Sequence, residues 1–255
     1  METYLIPWIG GKRLLRKKIA PLIPNDIKSY IEPFGGGGWI LFYKEKWAVN
    51  EVYNDLNGDL VNLFQIVKYH PEAFKNELKY ILNSRETFNY FLNANCDTDI
   101  KRAVKFSYLL RHSFGSKGAI FATRTRNRAP SSGEMFLKRV DLISKRLDQV
   151  MIENLNFKEC IKLYDDYDSF FYLDPPYTKG AGYKTVSCAK FEHKALARIL
   201  KSIKGRFLLS YNDCGEVRKN YKDFNIITAE RVNGINRKKI KNNYYKELLI
   251  TNYEV

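Results

Sequence analysis

Apolar and polar positions change rhythm along the chain. Ser29-Tyr30-Ile31-Glu32 reads as a short strand, Pro33-Phe34-Gly35-Gly36-Gly37-Gly38 as a turn, and Trp39-Ile40-Leu41-Phe42-Tyr43 as the apolar start of a helix. Glu51 to Asp55 follows as a second strand, and Leu60, Leu63, Phe64 and Val67 recur at helical spacing through Leu56 to Tyr69. This β-α-β-α opening predicts a parallel-rich sheet with helices on both faces. From about Pro71 to about Asn156 the pattern is helical (Phe74 to Leu92, Ile100 to Arg111, Phe136 to Val150), with no convincing central strand. Strand rhythm returns with Ser169 to Leu173, then a helix from about Phe191 to Ile203 and strands at Arg206 to Ser210, Phe224 to Ala229 and Glu247 to Asn252. The expected class is α/β, with residues 1–70 and 157–255 forming a discontinuous core and 71–156 a largely helical insertion.

Composition narrows the function. With 45% hydrophobic and 15% aromatic residues, the chain buries enough apolar surface to exclude disorder. A net charge of +15 attracts polyanions, nucleic acid first and anionic membrane second. No apolar run is long enough to span a bilayer, and Met1-Glu2-Thr3-Tyr4 lacks the basic region of a signal peptide, so a cytoplasmic protein without membrane contact is expected. Cys96, Cys160, Cys188 and Cys214 are scattered singly and only three His accompany them. That distribution predicts free, mostly buried thiols and no metal site.

Three segments carry chemistry. Asp174-Pro175-Pro176-Tyr177 directly follows an apolar strand, where open α/β sheets place their sites. Its prolines fix two φ angles and remove two N–H donors, which leaves carbonyl oxygens, a carboxylate and an aromatic face. Such a turn accepts an exocyclic amino group and stacks on its ring. The loop from Glu32 through Phe34, Gly35 and Gly37 allows close approach of backbone to a ligand and aims helix N–H groups at it. It lacks the G-K-[ST] ending of a phosphate-binding P-loop. Asp55, about 20 residues beyond the glycines at a strand end, suits the hydroxyls of an adenosine ribose; Glu51 and Asp59 are the alternatives. Near the N-terminus, Pro7-Trp8-Ile9-Gly10-Gly11-Lys12 fits a ligand contact and a turn around a buried Trp equally.

The order Pro-Trp-x-Gly-Gly-Lys, Glu-Pro-Phe-x-Gly-x-Gly, Asn-Asp, a long insertion, Asp-Pro-Pro-Tyr and a final Lys-Glu-Leu-Leu-Ile-Thr-Asn-Tyr resembles the Dam-like, α-type family of DNA adenine-N(6) methyltransferases over nearly the whole chain. The resemblance implies a Rossmann-like methyltransferase fold and S-adenosylmethionine as cofactor. It implies cofactor contacts from Trp8, Gly10, Lys12, Glu32, Phe34, Gly35, Gly37, Asp55 and, secondarily, Asp174. The target adenine, flipped out of double-stranded DNA, would be held by Asp174, Pro175, Pro176 and Tyr177. A restriction endonuclease acting without a stable complex is the protein partner such a family implies; the sequence carries no signature of oligomeric state.

The basic insertion completes the expected site. Arg111, Ser113, Phe114 and Lys117, followed by Arg124, Arg126 and Arg128, offer phosphate contacts, guanine readers and an aromatic wedge, against the plain alternative of a solvated charged loop. Family members commonly show Arg-x-Asn followed by Gly-x-Phe-Asn-x-Pro here; residues 123–136 depart from that pattern, which leaves the recognised sequence open. Arg231, Arg237 and Lys238 form a second basic group, with phosphate contact and ordinary surface charge as its two readings. Transfer to cytosine, transfer to adenine in RNA, and a silent DNA-binding homologue are the rivals. Asp rather than Ser before Pro-Pro-Tyr favours adenine, and the intact tetrapeptide argues for turnover.

Overall fold

The computed structural model describes residues 4–122, 133–177, 191–232 and 244–255. Arg124, Arg126, Arg128, Arg237 and Lys238 lie outside them, as does Cys188, and for Arg231 only the backbone is described. Seven strands form one sheet: β1 Ser29–Glu32, β2 Asn50–Asn54, β3 Val150–Glu153, β4 Ser169–Leu173, β5 Arg206–Asn212, β6 Asn225–Val232 and β7 Tyr244–Thr251, in the order β3-β2-β1-β4-β5-β7-β6. The helices are α1 Arg16–Ile19, α2 Gly58–Tyr69, α3 Pro71–Lys79, α4 Arg85–Asn93, α5 Asp99–His112, α6 Gly133–Leu147, α7 Phe157–Tyr164, α8 His193–Lys201 and α9 Gly215–Asn220. The mixed α/β class expected from the pattern is the one observed.

The chain divides into two compact units. One comprises Met1–Gly11, Gly35–Glu45 and Tyr53–Asn154. Here α5 packs on α2, α3 and α4, and α6 on α2 and α3, with Phe74 meeting Phe136 edge to face. Helix starts follow local chemistry: Asn57, Ser84 and Thr98 side chains accept N–H groups at the first turns of α2, α4 and α5. Because Ser84 caps a new helix, the pattern read as continuous from Phe74 to Leu92 is two helices.

The other unit comprises Lys12–Phe34, Lys46–Val52 and Leu155–Val255. β4 is buried at all five positions and runs parallel to β1 and to β5, with Ile31 opposite Phe171 and Phe171 opposite Phe207. A strand covered on both faces needs the apolar run Phe170 to Leu173. β7 pairs antiparallel with both β5 and β6, so the last two strands form a hairpin-like edge with the later strand inside. Asn156 and Glu159 form a reciprocal cap at the start of α7.

Two further expectations are corrected. Trp39 to Tyr43 does not open an α-helix: after positive φ at Gly36 and Gly38 the chain makes turns and one 3₁₀ turn, Leu41–Tyr43. Trp39 to Phe42 are all buried, so this stretch has no polar face to give a surface helix. The span 71–156 also holds a strand, β3, whose four residues alternate too little to be read from pattern alone. Among the described cysteines Cys96, Cys160 and Cys214 are free, with Cys160 buried and the other two half-buried. No helix among the described residues is long and apolar enough to cross a membrane.

Phe171 is fully buried at the centre of the parallel strands. Phe171→Ala is expected to cost about 3 to 5 kcal/mol, read from the shift in urea denaturation midpoint.

Candidate active site

In the first unit the glycine loop is built around aromatic rings. A Cβ at Gly35 would fall 2.2 Å from the Tyr53 ring, and one at Gly37 would fall 2.9 Å from Trp8 Cβ. Thus the space freed by missing side chains is filled first by the protein's own Tyr53 and Trp8. Gly36 has φ +50° and is tied at both ends, its N–H donating to Asp55 Oδ2 at 2.9 Å and its carbonyl accepting the Tyr53 hydroxyl at 2.7 Å. Asp55 Oδ1 accepts the Asn57 N–H at 2.8 Å. Burial pushes the Asp55 carboxyl above its ordinary value, and the N–H groups of Asn57, Gly36 and Leu56 oppose that rise. The carboxylate therefore stands in fixed orientation at the end of β2. Of its alternatives, Glu51 is buried and accepts the Trp47 N–H, while exposed Asp59 meets Arg102. Gly10 lies in an exposed turn at φ +80°, where Gly11 N–H reaches the Trp8 carbonyl.

In the second unit Asp174 stands one residue beyond β4. Lys12 Nζ donates to its Oδ1 at 2.6 Å, with Lys12 only 3% and Asp174 20% exposed. Ser210 Oγ donates to the same oxygen at 3.2 Å, and the Tyr172 hydroxyl shares a hydrogen bond with Ser210. Lys12 Nζ also lies 4.9 Å from the centroid of the Tyr177 ring. Burial alone would lower the Lys12 pKa; attraction from Asp174, with smaller contributions from Tyr172 and Glu247, outweighs it and raises the value above 10.5. Tyr172 is held protonated by burial and by the neighbouring Asp174 carboxylate. The Tyr177 ring stacks on Tyr211, centroids 5.5 Å apart. Pro175 is buried and Pro176 half-buried.

Lys12, expected among the cofactor contacts, is thus bonded to the Asp-Pro-Pro-Tyr turn. Glu32 is buried at the end of β1 and accepts the Tyr30 hydroxyl at 2.6 Å. Phe34 packs its half-buried ring on Phe157 and Phe191. Ser210, Tyr211, His193 and Glu247 were missed by sequence reasoning. Two signals were available: the carboxyl end of β5 neighbours that of β4, and Glu247 is an acid inside an apolar strand.

In the first unit, residues 112–122 form a small hairpin. Phe114 N–H donates to the Ile120 carbonyl and Ala122 N–H to the His112 carbonyl. Ser113 is buried and holds the turn, its Oγ accepting the Gly118 N–H at 2.7 Å. Phe114 at the tip is 73% exposed, and Lys117 is exposed beside it. The Arg111 guanidinium instead lies 3.7 Å from the Phe136 ring centroid. The hairpin base is backed by Phe121 against Phe88.

Lys12→Met would leave the Asp174 charge without its nearest cation. The expected loss is about 3 kcal/mol, at the low end for buried pairs because Asp174 keeps some solvent. Since the folded Lys12 value is raised above 10.5, its contribution is complete below that pH and fades only as pH climbs through the raised value. Urea titrations of both proteins at neutral pH and above 10.5 check the magnitude and the sign.

Residues 8–235 match the family model described as D12 class N6 adenine-specific DNA methyltransferase. A type II methyltransferase of Methanocaldococcus jannaschii is 30% identical, across 97% of this chain and 98% of its own length. A type II methyltransferase of Lactococcus lactis subsp. cremoris is 27% identical, across 96% and 94%. A DNA adenine methylase of Haemophilus influenzae is 26% identical, across 85% and 82%. With the acceptor-rich turn at the end of β4 and a family match over most of the sequence, the chain belongs to the D12 class of N6 adenine-specific DNA methyltransferases.

Proposed function

We propose that the methyl donor is S-adenosylmethionine and that the acceptor is an adenine swung out of double-stranded DNA onto the turn from Asp174 to Tyr177. One observation carries this reading: Lys12 and Ser210 both bind Asp174 Oδ1. Among the described residues these donors leave Oδ2 to accept one hydrogen of an exocyclic amino group in this reading, and the Pro175 carbonyl to accept the other. The amino lone pair of adenine is conjugated into its ring; two acceptors on its hydrogens favour a pyramidal nitrogen whose lone pair points away from the ring. Bound S-adenosylmethionine supplies an electrophilic methyl group on a sulfonium centre. Asp174 acts by orientation and electrostatics, with Lys12 fixing its rotamer. The Tyr177 ring gives the extruded base a surface that replaces its lost stacking, part of a cost of about a few kcal/mol.

The donor set suits the cofactor. The Asp55 carboxylate offers about four acceptor sites, of which the N–H groups of Gly36, Asn57 and Leu56 occupy part, so the group can still accept a hydroxyl of a ribose diol. Trp8, Gly10, Phe34, Gly35 and Gly37 complete the proposed contact set. For DNA, the exposed Phe114 and Lys117 at the hairpin tip suit a wedge and a phosphate contact, with Arg124, Arg126, Arg128, Arg237 and Lys238 assigned by their sequence position. Arg111 and Ser113 support the hairpin in this reading. Residues 71–156 serve as the target-recognition segment of a discontinuous catalytic core. The enzyme would act in the cytoplasm, and a restriction endonuclease acting without a stable complex is the protein partner in this reading.

Incubation with S-adenosylmethionine and unmethylated genomic DNA, followed by long-read mapping, is expected to show N6-methyladenine within one short motif. Modified cytosine, or methylation of RNA alone, would overturn the assignment. Asp174→Ala should lower turnover by about 100-fold or more while calorimetry still detects cofactor binding. Phe114→Ala should lower kcat/KM for DNA by roughly five- to a hundredfold, the value of one base–aromatic stack, with cofactor affinity unchanged. An unaltered kcat/KM would remove the wedge from the mechanism.

A further inference from the structure

The Asp-Pro-Pro-Tyr turn has an unusual supply of handles. Pro175 and Pro176 carry no N–H, so at these two positions the backbone has no donors with which to pin itself. A turn that must hold a base within a fraction of an ångström needs donors from elsewhere. Tyr211, the sixth residue of β5, provides one. Its side chain is 1% exposed, and its hydroxyl donates to the Pro176 carbonyl at 3.4 Å. Its ring also underlies Tyr177 at an interplanar angle of 24°. Tyr211 therefore holds the turn twice, through the Pro176 peptide and through the Tyr177 ring.

The same hydroxyl meets His193 Nδ1 in a short hydrogen bond. His193 is half-buried at the first position of α8, and the Phe191 ring stands edge-on to it with centroids 4.8 Å apart. A phenol has one hydrogen to give. If His193 takes it, the Pro176 carbonyl loses its donor. If Nδ1 carries the proton, His193 donates to Tyr211 and Tyr211 donates onward, and every member of the chain is satisfied.

We propose that His193 and Tyr211 are a positioning pair for methyl transfer, in which His193 Nδ1–H donates to the Tyr211 hydroxyl and Tyr211 donates to the Pro176 carbonyl, fixing the orientation of the base-holding turn. The long Tyr211–Pro176 bond tightens when a base is seated, as hydrogen bonds of catalytic sites commonly do on substrate binding. Neither residue touches the base; each acts through the turn. The inference rests on the reading that residues 174–177 hold the target adenine.

The test compares single-turnover methylation of a duplex carrying the mapped motif by wild type, Y211F, H193F, H193N and D174A. Y211F keeps the ring stack and removes only the hydroxyl. H193F removes the donor, whereas H193N places an amide N–H near the position of Nδ1. Y211F and H193F should slow methyl transfer by about tenfold or more, with KM for S-adenosylmethionine within about twofold, and H193N should recover most of the rate. Such a split, with rescue by an amide, is not what loss of core packing gives. Y211F reacting within about twofold of wild type while D174A is inactive would overturn the pair and leave the base-holding reading standing. H193N as slow as H193F would overturn the proposed direction of proton donation. Retained activity in D174A would overturn the base-holding reading and this inference with it. Should Y211F melt far below wild type, the H193F and H193N comparison, at a half-buried position, decides alone.

Discussion

The 2.6 Å pair between Lys12 and Asp174 closes a loop of 162 residues and puts two charges where water is scarce. A carboxylate at the end of a buried strand is costly unless a cation and hydrogen bonds attend it. Lys12 supplies the first, Ser210 one of the second, and both choose the same oxygen. The arrangement of β1, β4 and β5 in parallel follows from their apolar sequences. Among the described residues the side-chain donors to that acid both fall on one oxygen, which in the proposed reading leaves the other for the target amino group.

Around that pair the unit is tuned by aromatic residues with polar tips. Tyr30, Tyr172 and Tyr211 are buried phenols, and each hydroxyl meets a polar partner: Glu32, Ser210 and the Pro176–His193 pair respectively. Burial pushes all three well above the ordinary tyrosine value. They therefore behave as neutral donors over the physiological range, beside the charged Lys12–Asp174 pair. The glycine loop of the other unit uses rings differently. Tyr53 and Trp8 fill the room that a side chain would take, and the chain bends there because Gly36 can adopt φ +50°.

Much of this was legible in the sequence because the signals were local. Four apolar residues, Phe170 to Leu173, announce a buried strand before Asp174, and β4 is buried throughout; the two prolines that follow remove two N–H donors whatever shape the segment takes. Asp55 was distinguished from Glu51 and Asp59 by its strand-end position, and its two oxygens are oriented by loop N–H groups. What escaped depended on contacts distant in sequence. Lys12 carries no mark that it meets residue 174 rather than a cofactor, and Tyr211 looks like any apolar strand residue until its hydroxyl is located. Trp39 to Tyr43 misled because five apolar residues in a row have no period, so strand, helix and irregular buried turn read alike. The placement of β7 between β5 and β6 had no local signal either, since nothing in an alternating strand specifies which neighbour it chooses.

That inside position of β7 sets an order of assembly. β6 has β7 as its sheet neighbour, and β5 has one edge open until residues 244–251 arrive. During synthesis, then, the strand bearing Ser210 and Tyr211 is made well before the strand that covers it, and it stands for that interval with unpaired N–H and carbonyl groups along one side. Glu247, the buried acid that reinforces the charge on Lys12, arrives on that same covering strand. The polar cluster at the sheet end is therefore complete only once residues 244–251 are in place, which makes a polypeptide on its way to this fold an incomplete methyltransferase with an exposed sheet edge until β7 slides between β5 and β6.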